Sequence, residues 1–267
     1  MTTVQSRADQ DFWDRYWANV SLPAEAKRTP GAVHANSILD VLDAYLPADP
    51  TLHAAELGGA PGEYLAYIHK QKGYRITAVD YSAVGCAAAR ENFRLLGIDG
   101  SVVEADIFSD DLAPAQFDIV FSLGLIEHFD DRVAIVDRHV RLLRPGGFLV
   151  LGVPNLRGLH GWFLRRLAPR LYGTHYVEAM DLRRWTAFET KHHLRVLFKG
   201  YIGGFEPTIF TRRESKGWSS IPYFAAARAL NFLVHRVIGG IRRFNGPRIS
   251  GYAMAVYRMP TDAPALE

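Results

Sequence analysis

Short apolar, β-branched runs alternate with helix-spaced apolar positions from residue 53 onward. The runs His53–Leu57, Arg75–Asp80, Ser101–Asp106, Phe117–Ser122 and Phe148–Pro154 have strand length and composition. Between them, Glu63–Gln71, Ser82–Leu96 and Asp130–Leu143 carry apolar residues at helical spacing. This alternation predicts right-handed crossovers and a mostly parallel α/β sheet with helices on both faces. Upstream lie an aromatic segment, Phe12–Trp17, and a helix over Val33–Tyr45 that Pro47 and Pro50 stop. Beyond Pro154 the strand pattern lapses into a stretch rich in Arg, Trp, Tyr and His. Strands return at Leu194–Lys199 and Gly251–Arg258, and Ser219–Phe244 between them reads as one long amphipathic helix.

Composition narrows the class of protein. At 267 residues, 48% hydrophobic and 22% charged, the chain suits one large globular domain, and wholesale disorder is excluded. A single cysteine, Cys86, excludes an intrachain disulfide and a cysteine-rich zinc site, and its position on a helix is expected to lie away from the catalytic end. The first residues lack the apolar core of a secretory signal, and no run of about 18 apolar residues occurs, so a cytoplasmic protein is the expectation. The net charge of +3 conceals an asymmetry. Residues 1–140 hold 11 Lys and Arg against 21 Asp and Glu, whereas residues 141–267 hold 20 against 7. A basic second half suits either a solvated arginine-rich surface or an anionic substrate or partner.

The chemistry is concentrated in the turn after the first strand, Glu56-Leu57-Gly58-Gly59-Ala60-Pro61-Gly62-Glu63. Glycines there allow close backbone approach to a ligand, and the following helix offers free N–H groups. The spacing does not fit the G-x-G-x-x-G dinucleotide fingerprint, and Pro61 removes a donor that a pyrophosphate would use. A ligand carrying ribose and adenine but no phosphate suits the turn better. Asp80, ending the second strand, is placed to accept from ribose hydroxyls, or else to cap the helix that begins near Ser82.

In this order the segments resemble the class I S-adenosylmethionine-dependent methyltransferases. Glu56–Gly62 resembles the family's first motif, Val79-Asp80-Tyr81-Ser82 the ribose-binding strand end and Glu104-Ala105-Asp106-Ile107-Phe108 the adenine-binding one. Phe117–Phe121 resembles the fourth strand and Leu143–Phe148 the approach to the fifth. The resemblance covers residues 56–155; Ala60 departs from it, standing where the family usually has glycine. It implies a Rossmann-like, doubly wound, mostly parallel seven-stranded sheet with an antiparallel last strand. It also implies that S-adenosylmethionine is held by Glu56, Gly58, Gly59, Ala60, Gly62, Asp80, Tyr81, Asp106 and Ile107, with Leu123 facing the sulfonium. On this reading residues 1–52 form a helical lid, 53–154 the cofactor-binding core and 155–267 an excursion that shapes the acceptor site and closes the sheet.

Leu123–Phe129 follows the fourth strand at the reactive end. His128, with an ordinary pKa of about 6.5, suits a general base near neutrality, with Glu127 beside it. Ile126-Glu127-His128 is also similar to the ubiquinone-pathway and small-RNA methyltransferases in which Glu and His at these positions bind a divalent metal, together with a Glu three residues earlier. Here the earlier position is Gly124, so the sequence offers two ligands, Glu127 and His128, for an ion such as Mg2+. Three readings of His128 stay open: substrate-side base, metal ligand and structural residue. His175, in Gly173–Tyr176, is a second candidate base or a solvent-facing loop histidine.

The fourth strand is not followed by the Asn/Asp-Pro-Pro-Tyr pattern of amine methylation on DNA bases, so a DNA substrate is not expected. The leading expectation is methyl transfer to a hydroxyl of a small acceptor, neutral or anionic, such as a sugar, lipid-linked glycoside or polyketide. The competing expectation, from the basic second half, is an RNA methyltransferase or RNA-binding protein. The 219–244 segment is read as a lid, a homodimer contact or a membrane-surface contact. Lid or dimer is preferred, because Lys and Arg do not fill its polar face.

Overall fold

The computed structural model describes residues 4–30, 32–109, 111–205 and 244–262. Seven strands form one sheet: β1 His53–Leu57, β2 Arg75–Asp80, β3 Ser101–Glu104, β4 Phe117–Leu123, β5 Leu143–Pro154, β6 Arg195–Ile202 and β7 Tyr252–Arg258. Their spatial order is β3-β2-β1-β4-β5-β7-β6. The first five pair in parallel, and β7 runs antiparallel to both β5 and β6. The doubly wound sheet with an antiparallel last strand expected from the sequence is therefore present.

Two apolar layers explain why the inner strands read as nearly continuous hydrophobic runs. Ala54, Ile76, Ala78, Ile119, Phe121 and Val150 enter one layer with α2 (Val33–Tyr45), α3 (Glu63–Lys72) and α4 (Ala83–Leu96). Their strand neighbours Ala55, Val79, Val120, Leu149 and Leu151 enter the other with α5 (Arg132–Leu142), α8 (Thr186–Lys191) and the 3-10 turns Ile126–His128, Val177–Met180 and Leu182–Trp185. A strand covered on both faces has no polar side to display.

Several details differ from the sequence reading. β3 stops at Glu104, leaving Asp106 in the following loop. β5 reaches back to Leu143, which pairs with Phe117 before a register shift at the Arg144–Gly147 stretch. The lapsed pattern after Pro154 contains α6 (Leu159–Leu167) and α7 (Pro169–Gly173). At the amino end, α1 (Gln10–Trp17) is capped by Asp9, whose side chain accepts from Phe12 N–H. The long helix expected over 219–244 falls, but for Phe244, outside the described residues.

The order of strands reverses between β1 and β4, which opens a crevice at their carboxyl ends. Glu56 is in register with Ala78 on β2 and Phe121 on β4, at the centre of that crevice.

Candidate active site

The glycine turn is shaped by backbone constraints that only its own residues meet. Gly58 has φ +66°, and a Cβ there would lie 3.1 Å from Leu125 Cδ1. At Gly59 a Cβ would meet the Glu56 carbonyl oxygen at 2.7 Å, which no real side chain tolerates. The Val79 carbonyl accepts from the N–H groups of both glycines, at 2.8 and 3.2 Å, and so ties the turn to β2. Gly62 caps α3 in the left-handed region.

Glu56 is buried at 5% exposure, and its Oε2 has no hydrogen-bond partner. Burial pushes its carboxyl well above the usual range, with Glu63 and Asp80 adding to the rise. A buried acceptor with no donor is costly unless a ligand supplies one. An ammonium group would satisfy it.

Asp80 does not cap α4. Ser82 does, its Oγ accepting from Gly85 N–H at 2.9 Å. Asp80 instead accepts from Ser82 N–H at 2.9 Å and from Ala60 N–H at 3.4 Å. Burial raises its pKa to about 6 against these bonds. Two N–H donors leave lone pairs on both carboxylate oxygens. The Tyr81 carbonyl accepts from Gln10 Nε2 at 3.1 Å, and Asp106, exposed after β3, accepts from Phe108 N–H at 2.9 Å. Ile107 is half-buried against the core.

Cys86 lies nearer this end than its helix suggested. Its thiol points at the Asp80 carbonyl, 3.4 Å away, because the first turn of α4 lies at the carboxyl end of β2. Burial pushes that thiol up to about 11, which leaves it unreactive.

The aromatic amino-terminal segment packs on the same region. Trp17 is buried where a Cβ on Gly85 would fall 2.8 Å from its Cδ1 and 3.0 Å from Ala60 Cβ. The methyl of Ala60, where glycine was expected, thus lies in a packed wall. Trp13 meets the His128 ring edge-on, with centroids 5.0 Å apart. The Ser82 hydroxyl donates to Asp14 on α1.

Beyond β4 the chain enters the 3-10 turn that carries Glu127 and His128, at 1% and 4% exposure. Of the two readings of His175, the solvent-facing one is overturned: it is buried, and its ring centre stands 4.7 Å from that of His128. Tyr176 N–H donates to the Glu127 carbonyl at 2.7 Å and so draws this loop onto the turn. A carbonyl can only accept, so His128 Nδ1 is the protonated nitrogen that donates to Thr174 at 2.8 Å. Its Nε2 then holds the lone pair, 3.7 Å from Glu127 Oε1. By the same logic His175 Nδ1 donates to the Leu171 carbonyl at 2.7 Å.

The ordinary pKa expected for His128 is also corrected. Burial, with His175 acting in the same direction, pushes it down to about 3, and burial pushes His175 to about 4. Glu127 rises to about 8 for the same reason. Each group is driven towards its neutral form by loss of water. Glu127 Oε2 has no hydrogen-bond partner.

Two further side chains reach this region without any sequence signal. Arg7 lies over the Tyr176 ring at 3.9 Å and donates to the His175 carbonyl, while its own N–H donates to the His128 carbonyl. Tyr252, on β7, lays its phenol across Gly152 and Leu123, so that a Cβ on Gly152 would fall 2.6 Å from its ring.

Residues 55–151 match the methyltransferase domain family. The matched stretch is less than half of the chain. It holds β1 to β4 and most of β5, the glycine turn and the Glu127–His128 turn. The chain is 38% identical over 124 residues to a malonyl-[acyl-carrier protein] O-methyltransferase of Enterobacter lignolyticus, covering 44% of this chain and 47% of that protein. It is 32% identical over 143 residues to a ubiquinone biosynthesis O-methyltransferase of Xanthomonas oryzae pv. oryzae, covering 48% and 57%. The chain thus spans about half the length of the curated relatives it matches. Among solved structures, the [4+2]-cyclase SpnF superposes with a TM-score of 0.62 at 15% identity, covering 96% of this chain and 97% of that one. A methyltransferase-like fold shared with a cyclase shows architecture only; the chemistry has to be argued from the site. Among the described residues, no helix is long and apolar enough to cross a membrane.

Proposed function

We propose that this chain moves the methyl group of S-adenosylmethionine to an oxygen of a small-molecule acceptor. The observation that carries the reading is the buried, partnerless Glu56 oxygen in the crevice between β1 and β4, beneath a left-handed glycine turn that abuts Leu125. Bound there, S-adenosylmethionine supplies an electrophilic sulfonium methyl. Glu56 would seat the amino group, and Gly58, Gly59, Ala60 and Gly62 would let the main chain lie along the amino-acid portion. Asp80, with Tyr81 beside it, would take the ribose hydroxyls on its remaining lone pairs. Asp106 and Ile107 would hold the adenine edge and face, and Leu123 would border the methyl.

His128 receives the acceptor hydroxyl in this reading. Its Nδ1–H is committed to Thr174, which leaves Nε2, beside Glu127 Oε1, as the nitrogen that can accept. Neutral across the physiological pH range, that imidazole accepts the hydroxyl's hydrogen bond and orients its oxygen towards the methyl. With its pKa pushed down to about 3 it is a weak base, so its part is alignment of the hydroxyl, with His175 as the neighbouring second acceptor. Trp13 on α1 shields His128 from water. Alignment of acceptor and donor in such a site supplies roughly 7–11 kcal/mol at best. Both curated relatives are named O-methyltransferases, which favours oxygen over nitrogen or carbon as acceptor. Sugars, lipid-linked glycosides and polyketide hydroxyls are the first acceptors to assay.

Calorimetric titration with S-adenosylmethionine and S-adenosylhomocysteine tests the donor; lack of binding to both overturns the reading. With an active acceptor in hand, His128→Ala is expected to lower kcat by about 100-fold or more while leaving cofactor affinity within about threefold.

A further inference from the structure

We propose that Tyr252, on β7, is a further binding residue of the crevice, and that its hydroxyl donates to the carboxylate of the amino-acid portion of S-adenosylmethionine. The inference rests on the methyl-transfer reading and deepens it: Glu56 takes the amino group, and the carboxylate beside it needs a hydrogen-bond donor.

The sheet sets the position. Tyr252 opens β7 and pairs with Pro154 at the carboxyl end of β5 and with Ile202 at the end of β6. Its side chain is buried, and His34 on α2 meets its ring at a steep angle, with centroids 5.0 Å apart. The phenol leans over Gly152. A Cβ there would fall 2.6 Å from Tyr252 Cε1, 2.7 Å from Leu123 Cδ2 and 2.9 Å from the Tyr252 hydroxyl oxygen. Glycine inside an apolar strand weakens it and marks a close approach. Here the phenol makes that approach, and it stands beside Leu123, the residue that borders the methyl.

The surroundings of the hydroxyl are those of the amino-acid portion. Burial pushes the Tyr252 phenol well above its ordinary value, and Tyr64, Glu127, Glu56 and Glu63 add to the rise. These four face it from the end of β1, the first turn of α3 and the turn after β4. A phenol so placed keeps its proton and can donate. Neither orphan oxygen, Glu56 Oε2 nor Glu127 Oε2, receives that hydrogen, and no hydrogen bond to the hydroxyl forms among the described residues.

The two layers of the sheet separate this role from that of His128. Tyr252 lies in the layer that holds Ala54, and Glu56, two residues further along β1, points to the same face. The Ile126–His128 turn belongs to the opposite layer. The methyl acceptor is received from one face and the amino-acid portion of the methyl donor from the other. A carboxylate entering among three acids gains from a neutral donor, which supplies a hydrogen bond without adding charge.

Calorimetric titration of the full chain tests the assignment with two ligands: S-adenosylhomocysteine and its decarboxylated analogue, which keeps the amino group. The wild type is expected to bind S-adenosylhomocysteine about 10-fold more tightly than the analogue, and Tyr252→Phe to lose that preference, with affinity for the analogue held within about twofold. Glu56→Gln is expected to weaken both ligands, because both carry the amino group. Circular dichroism checks folding. Gly152→Ala, which pushes the phenol aside, is expected to repeat the selective loss and decides the matter should Tyr252→Phe fail to fold. Equal loss of both ligands in Tyr252→Phe, an unchanged S-adenosylhomocysteine affinity, or a wild type without preference between the two overturns this inference and leaves the methyl-transfer reading standing. A wild type that binds neither ligand overturns both.

Discussion

The rings of His128 and His175 stand 4.7 Å apart, and Thr174 serves both: its carbonyl accepts from His128 Nδ1, and its hydroxyl lies 3.1 Å from His175 Nδ1. One residue thus fixes the tautomer of one ring and touches the other. The pair is a product of the loop after α7 folding back onto the turn after β4. Neither segment announces the other in sequence.

Glu56 is expected to trade stability for ligand recognition. Replacing Glu56 by Leu removes a buried carboxyl with an unmet oxygen, which is expected to stabilise the free protein by about 1–3 kcal/mol. At this chain length that raises Tm by about 2–4 °C per kcal/mol. The same change is expected to weaken S-adenosylhomocysteine binding by about 10- to 100-fold, through loss of a charge-assisted bond. Thermal unfolding and calorimetry on one preparation check both directions; a Tm that falls while affinity holds contradicts the assignment.

Gly58→Ala is expected to cost both folding and binding. Its positive φ penalises any Cβ by roughly 1–2 kcal/mol, and the new methyl would press on Leu125 Cδ1. Urea unfolding should show the destabilisation with an unchanged m-value.

Gly85→Ala separates the two effects. In the first turn of α4, alanine has the better helix propensity by about 1 kcal/mol, which offsets part of the clash. The new methyl would fall 2.8 Å from Trp17 and 3.0 Å from Ala60, displacing α1 from the glycine turn. Stability is expected to change by less than about 1 kcal/mol, while cofactor affinity drops and tryptophan emission shifts to the red. An unshifted emission would mean that α1 does not rest on this turn.

His139 predicts a pH dependence outside the site. It is fully buried between the Ile135 carbonyl and the Ser122 hydroxyl, and burial pushes its pKa down to about 4. Its folded value lies below the unfolded one of about 6.5, so the unfolded chain binds the extra proton. The associated stability is present above pH 6.5 and is lost as pH falls towards 4. Between pH 7.5 and 5 the wild type is expected to lose about 1–2 kcal/mol more than His139→Gln. Denaturation midpoints at the two pH values give the difference directly.

The architecture was legible because its signals are local. Strand runs such as Phe117–Leu123 and Phe148–Pro154 are apolar over their length since both faces are covered, and Gly62 and Gly97 mark where α3 begins and α4 ends. The residues proposed to hold the donor stand out in the sequence for the same reason: Glu56 and Gly58 to Gly62 lie in one short run, and Asp80 ends the next strand. Cys86 was misplaced because a helix position in sequence does not say which end of the sheet its first turn meets.

Sequence by itself thus determined the strand–helix alternation, the glycine turn and the acid that precedes it, since each depends on residues within a few positions of one another. Tertiary structure alone decided the surroundings of the reactive end. It buried Glu127 and His128, set their proton affinities far from ordinary values, brought His175 to them and laid Arg7 and Trp13 over the result. The physical reason is that desolvation and ligand geometry belong to the space between segments, and that space exists only once distant parts of the chain have closed around it.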